Sequence, residues 1–182
     1  MEYHKFTSPF NNFTIVWKGT EPILKIQRIF LSDSEQQAEI KTLNSFKQIK
    51  KGSTSSIISF GEKIRRFLEG EDIKFKLELL DFSICSKIQE RVLLTDFQIP
   101  RGWVSTYKRI ANHIGKLNGA RVVGNSLAKN PFPIVIPCHR AIKSNGNLGG
   151  YQGGIEMKRK LLEMEGVKVS ERGKVITERI YY

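Results

Sequence analysis

Phe13, Ile15 and Trp17 alternate with Thr14, Val16 and Lys18, and Ile23-Leu24-Lys25-Ile26 resumes an apolar stretch after Gly19-Thr20-Glu21-Pro22. A period of two on either side of a turn predicts paired strands, hence a small sheet near the start of the chain. Residues 34 to 47 are predicted as a polar helix, and Lys50-Lys51-Gly52-Ser53-Thr54-Ser55-Ser56 is a polar break that offers caps to the next element. That element is a helix. Ile57, Phe60, Ile64, Phe67 and Leu68 recur at helical spacing, with Lys63, Arg65 and Arg66 on other faces and Gly70 as the stop. The basic run Lys63-Ile64-Arg65-Arg66 reads as a solvated helix face rather than a binding patch. Ile73, Phe75, Leu77 and Leu79 then alternate with Lys74, Lys76 and Glu78, predicting a half-buried strand.

From about residue 83 the period lengthens. Ile84, Ile88 and Val92 lie four apart before Ile99-Pro100-Arg101-Gly102 breaks the run, so a helix is predicted there and Cys85 falls on it as a small buried side chain without a role. A domain boundary follows from this change: residues 1–82 form a small mixed α/β unit, and residues 83–182 a mostly helical one. Thr106 can cap a short helix from Tyr107 to Ile114 that stops at Gly115, and a second runs from about Gly119 to Lys129. Two short helices joined by a tight turn make a helix-turn-helix. Asn130 ends the second of them, because proline at 131 disfavours a helical conformation for its predecessor.

Composition narrows the partners. Lys and Arg number 30 against 18 Asp and Glu, a formal net charge of +12 that favours a polyanion such as nucleic acid or an anionic membrane surface. The 182 residues, 40% of them hydrophobic, suffice for one domain or two small ones, and no run of about 18 apolar residues offers a membrane span. Met1-Glu2-Tyr3-His4-Lys5-Phe6 has no basic and then apolar pattern of a secretory signal, and Cys85 and Cys138 make no disulfide framework, so a cytoplasmic protein with reduced thiols is expected. His4, His113 and His139 stand at no spacing that suggests zinc, and no metal is expected.

The candidate chemistry sits at Pro137-Cys138-His139-Arg140, entered through Pro131-Phe132-Pro133-Ile134-Val135-Ile136. A thiol is nucleophilic as thiolate, and a neighbouring imidazole is expected to lower its pKa from about 8.5. Three readings compete on the residues alone. A basic helix-turn-helix module with Arg121 and Lys129 facing DNA explains the charge and leaves Cys138 merely buried; a thiol hydrolase explains the pair without the local signatures of the common cysteine proteases; and the pair could be structural.

Ile136-Pro137-Cys138-His139-Arg140-Ala141-Ile142 resembles the active-site signature of the O6-alkylguanine-DNA alkyltransferases. The likeness extends upstream to Thr106-Tyr107-Lys108-Arg109-Ile110-Ala111 and to the stretch from Ala120 to Pro131, which resemble that family's helix-turn-helix. Downstream, Gly149-Gly150-Tyr151-Gln152-Gly153-Gly154 resembles its substrate loop, and the stretch from Lys158 to Gly166 its last helix. The match covers about residues 83 to 166, in order and at compatible spacing; before that it is architectural only.

The resemblance implies a ribonuclease-H-like α/β N-terminal domain and a winged-helix-like C-terminal domain. It implies repair by direct reversal, in which an alkyl group, chiefly methyl, passes from O6 of guanine, and from O4 of thymine, to Cys138 once and without a cofactor. By the same resemblance His139 takes the thiol proton through a water, Glu165 orients the imidazole, and Tyr107 gives a proton to the departing guanine. Arg121 fills the stack vacated by the flipped base, in the minor groove, with Ala120, Gly124, Lys129 and Thr106 completing the DNA surface. Asn130, Pro133, Val135, Tyr151, Gln152 and Gly153 would line the pocket, Asn130 chiefly as a brace for the turn. The partner implied is double-stranded DNA carrying O6-alkylguanine, met by a monomer that can assemble cooperatively on DNA. Two departures matter: Gln152 stands where many relatives carry serine, and no cysteine precedes Cys85 to hold the structural zinc some relatives have. A damage sensor of the alkyltransferase-like kind would keep the arginine and lack the acceptor, so Cys138 argues against it, and a transcription factor would bind regardless of alkylation.

Overall fold

The computed structural model describes all 182 residues and divides into two compact units, residues 1–84 with 131–133, and residues 85–130 with 134–182. Small mixed sheets and six helices make it an α/β protein.

The first unit is built on four strands, β1 (Glu2–Phe6), β2 (Phe13–Lys18), β3 (Lys25–Leu31) and β4 (Lys50–Lys51), in the order β3-β2-β1-β4. The predicted pair is β2 and β3, antiparallel with Phe13 opposite Leu31, whereas β1 went unforeseen because its alternation is diluted by polar residues. Central β2 is buried on both faces. On one, Tyr3, Val16 and Phe30 pack with Ala38 of α1 (Ala38–Ser45), and Thr14 shares a 2.6 Å hydrogen bond with Thr42. On the other, the Phe6 ring stacks on Phe13 at 5.0 Å and fills the space beside Gly61 of α2 (Ser55–Leu68), where a Cβ would meet the ring at 2.1 Å. Thr54 caps α2 by accepting from the Ile57 amide.

Two expectations are corrected here. Residues 73 to 79 form no strand: Phe75 lies against Phe60 and Phe67, so the apolar period is spent on α2, and only Leu80 bridges to Ile26. The predicted helix from residue 83 begins later, because Ser86 caps α3 (Lys87–Phe97) by accepting from Gln89. Ile84 is therefore exposed in a short 3-10 turn, and Cys85 is half-buried and outside the helix.

In the second unit, α4 (Tyr107–His113) follows β5 (Ser105–Thr106), and α5 (Ala120–Ala128) packs against both α3 and α4. Thr106 caps α4 by accepting from Arg109, and Gly115 ends that helix at φ 68. Cys138–Arg140 form a 3-10 turn between α5 and β6 (Ala141–Ile142), which pairs in parallel with β5. Helix α6 (Ile155–Met164) presents Met157, Lys158, Leu161 and Leu162 inward. The tail, which carries no motif, folds back as a hairpin of β7 (Lys168–Val169) and β8 (Val175–Ile176) over Val104, Leu148 and Leu162, and no helix is long and apolar enough to cross a membrane.

Candidate active site

The peptide leading to the thiol is under strain. Ile134 is buried at φ 73, a conformation that a β-branched residue adopts only when its surroundings impose it, at about 1–3 kcal/mol. Three residues on, Pro137 opens the 3-10 turn that carries Cys138, His139 and Arg140, all buried.

The thiol faces a cavity of about 180 Å³ walled by Tyr107, Gly124, Leu127, Ala128, Gly150, Tyr151 and Gln152. Asn130 Nδ2 donates to Cys138 Sγ at 3.2 Å and to the Ile136 carbonyl at 3.1 Å, so the residue expected to brace the turn also touches the sulfur. Burial pushes the Cys138 thiol up to about 12, Asp96 adds to the rise, and the Asn130 hydrogen bond and Lys158 oppose it. This corrects the expectation that the adjacent imidazole lowers it. Burial holds His139 below its usual value despite Glu165, so the ring is neutral and supplies no positive charge to a thiolate.

Behind the ring, His139 Nε2 lies 3.0 Å from Glu165 Oε1 at the C-terminal end of α6. Burial alone would raise the Glu165 carboxyl, but His139 and Arg140 reverse this and keep it ionised, well below the usual carboxylate range. A carboxylate only accepts, so the neutral imidazole must donate from Nε2, which leaves Nδ1 as its basic atom. Arg140 clamps the same carboxylate twice, Nε to Oε2 at 2.9 Å and Nη2 to Oε1 at 2.7 Å, and gives Nη1 to the Ile99 carbonyl at 2.7 Å.

Three buried groups were not picked out from the sequence. Arg140 sits inside the Pro137-Cys138-His139-Arg140 motif, where nothing in the sequence gives it a role. Lys158 is fully buried, donates from Nζ to the Ala141 carbonyl at 2.7 Å, and is held down to about 8 by burial against the pull of Cys138 and Asp96. Its place on the inward stripe of α6, three and four residues before Leu161 and Leu162, was the available signal. The third is Asp96, in the last turn of α3.

Tyr151 and Gln152 line the cavity, and the Tyr151 hydroxyl and Gln152 Oε1 are buried without a hydrogen-bond partner. Burial first, then Cys138 and Asp96, push Tyr107 up to about 12, so its hydroxyl keeps its proton at neutral pH. Gly149, at φ 75, lies where a Cβ would come within 2.5 Å of that hydroxyl. Tyr107 and Gly124 also line an open groove of about 400 Å³ with Ala120, Arg121, Asn125, Lys143 and Ser144, and Arg121 is exposed there.

Cys138, His139, Glu165 and Asn130 are thus joined by contacts, and Tyr107, Gly124, Tyr151 and Gln152 share the cavity with the thiol. Other expected residues stand apart from that lining. Val135, Pro133 and Gly153 are buried, with Pro133 counted in the first unit; Thr106 serves as a cap; and Lys129 is exposed at the end of α5, its carbonyl accepting from Gln89.

Residues 87–167 match the family model described as 6-O-methylguanine DNA methyltransferase, DNA binding domain. The methylated-DNA–protein-cysteine methyltransferase of Saccharolobus solfataricus is 40% identical over 119 residues, covering 64% of this chain and 74% of the relative. The chain belongs to this family. Its relative of the same name in Methanothermobacter thermautotrophicus is 49% identical over 108 residues, covering 59% of this chain, and the chain spans 60% of that relative's length. The fold of a family member, Mycobacterium tuberculosis OGT in complex with DNA, superposes with a TM-score of 0.73 at 29% identity, over 91% of this chain and 92% of that one.

Proposed function

We propose that this protein repairs DNA by moving an alkyl group, chiefly methyl, from O6 of guanine to Cys138, once per molecule. The observation that carries this reading is the thiol itself, set at a cavity lined by Tyr107, Tyr151 and Gln152 and backed by the His139-Glu165-Arg140 chain. The family name and the solved DNA complex of a relative support the polyanionic partner that the +12 charge favours.

The resting thiol is neutral, so the step must generate its nucleophile. His139 Nδ1 takes the thiol proton through a bridging water, while Glu165 and Arg140 fix the ring and balance its charge. The sulfur pair forms the S–C bond as the C–O6 bond breaks, the electrons pass to the guanine, and Tyr107 gives it a proton, which the His139 imidazolium then restores to Tyr107 through solvent. The net exchange is one thiol hydrogen for one alkyl group. Because O6 lies inside a duplex, the base must be flipped at a cost of a few kcal/mol. Arg121, in the groove that shares Tyr107 and Gly124 with the cavity, fills the gap left behind.

On this reading the sheet between α1 and α2 belongs to a ribonuclease-H-like domain over residues 1–82. Residues 83–182 form a winged-helix-like domain in which α4 and α5 are the helix-turn-helix, acting in the cytoplasm. The test is Cys138→Ser against an O6-methylguanine duplex. The variant is expected to bind the lesion and transfer nothing; repair retained in it would overturn the mechanism.

A further inference from the structure

Asp96 is fully buried at the end of α3, the helix that packs on the turn carrying Cys138, and neither of its carboxyl oxygens has a hydrogen-bond partner. The proposed mechanism does not use it. A buried carboxyl without partners is costly to retain unless it is neutral or answers a nearby charge.

The charges around it can be counted. Arg140 and Glu165 form a bidentate pair and cancel, and His139 is neutral. Lys158, held down to about 8, is left as the buried cation below that pH, its Nζ donating to backbone carbonyls, of Ala141 and, at 3.5 Å, of Gly150. Two acids feel that cation, Asp96 and Cys138, and they repel one another when both are ionised. The other groups that sense Asp96 are Arg140 and the phenols of Tyr107, Tyr151 and Tyr182, and those phenols keep their protons near neutral pH.

We propose that Asp96 is a positioning residue that sets the proton affinity of the acceptor thiol by competing with it for the positive charge of Lys158. While Asp96 is protonated, Lys158 answers only the thiolate as it forms; once Asp96 ionises, two buried anions face one cation without a direct pair to it, and the thiolate is disfavoured. Burial raises the Asp96 carboxyl to about 7, with Arg140 and Lys158 opposing, so the changeover falls at physiological pH. Its sign follows from linkage: the folded state holds the Asp96 proton over a range in which the unfolded chain has lost it, and releases it as pH rises through about 7.

This inference rests on Cys138 being the acceptor, and its test does not depend on alkylguanine. Iodoacetamide alkylates a thiolate with loss of iodide, and its rate at Cys138 can be read from the mass of the Cys138 peptide. For Asp96→Asn in the full-length protein, the ratio of variant to wild-type rate is expected to rise about fivefold from about pH 6 to about pH 8, towards a limit of about tenfold, the equivalent of one unit in thiol pKa, once Asp96 is fully ionised. A ratio that is flat across that range would overturn the proposal. Asp96→Leu, which replaces an unpartnered carboxyl with an apolar side chain, should reproduce the rise. In the wild-type protein alone, the infrared band of a protonated buried carboxyl should be present at about pH 6 and lost by about pH 8, and its absence at the lower pH would also overturn the proposal. If the iodoacetamide ratio rises while O6-methylguanine is not demethylated, Asp96 retains its role and the proposed function fails instead.

Discussion

In the first unit Glu39 answers two lysines at the surface, Lys5 at 3.1 Å and Lys51 at 3.0 Å, with the Lys51 side chain 75% exposed. In the second, Arg140, Glu165, His139, Lys158 and Asp96 are all buried within one short turn and the two helices that face it. The first unit holds itself together with apolar contacts, Phe6 on Phe13 and Val16 under α1, and lets water screen most of its charges, Asp81 being the buried exception, 2.7 Å from a half-exposed Lys18. The second gives up part of its apolar interior to charges that stability alone would not require. Buried titratable groups that perturb one another cluster where chemistry is done, so the contrast itself locates the active site.

The largest effect that separates the two arrangements is expected for Glu165→Gln. It leaves the Arg140 guanidinium buried without its counter-charge, at a cost of about 3–5 kcal/mol, and leaves the His139 ring a neutral amide oxygen in place of a carboxylate. Chemical denaturation across pH checks the sign. The Glu165 carboxyl is held low in the folded state, so its stabilisation is complete above the usual carboxylate range and is lost as pH falls towards the depressed value. The gap between wild type and variant should therefore close on acidification, and a gap independent of pH would show that the pair contributes no charge interaction.

The smallest effect is expected at the other extreme, for Arg66→Ala. Arg66 pairs with Glu71 on the exposed face of α2, its side chain 51% exposed, in a salt-screened setting. The unfolding midpoint should not shift measurably, and a drop comparable to that of Glu165→Gln would erase the distinction drawn between the two units.

Much of this was legible in the residues, and the reasons differ by element. The strands β2 and β3, the cap Thr54 and the helix pair α4 and α5 are local, fixed by apolar period and by side chains that reach the nearest amides, so the sequence carries them directly. The alternation at residues 73 to 79 misled, because a period of two gives the burial of a segment and not its partner, and here the partner is a helix. Cys138, His139 and Glu165 could be named from a motif. Their protonation could not, since burial of the thiol and neutrality of the imidazole depend on what the fold places around them. Asp96 lies 42 residues before the thiol and breaks the apolar stripe of α3 beside Val92 and Leu93. It reads as an ordinary helical aspartate until its burial is seen.

The central claim is that this network serves one consumable sulfur. It is tested most directly by mixing the protein with an excess of duplex containing labelled O6-methylguanine and following the label to completion. The account predicts that transfer stops at one methyl per chain, all of it on the Cys138 peptide. Continued turnover, or label on Cys85 or any other residue, would contradict it.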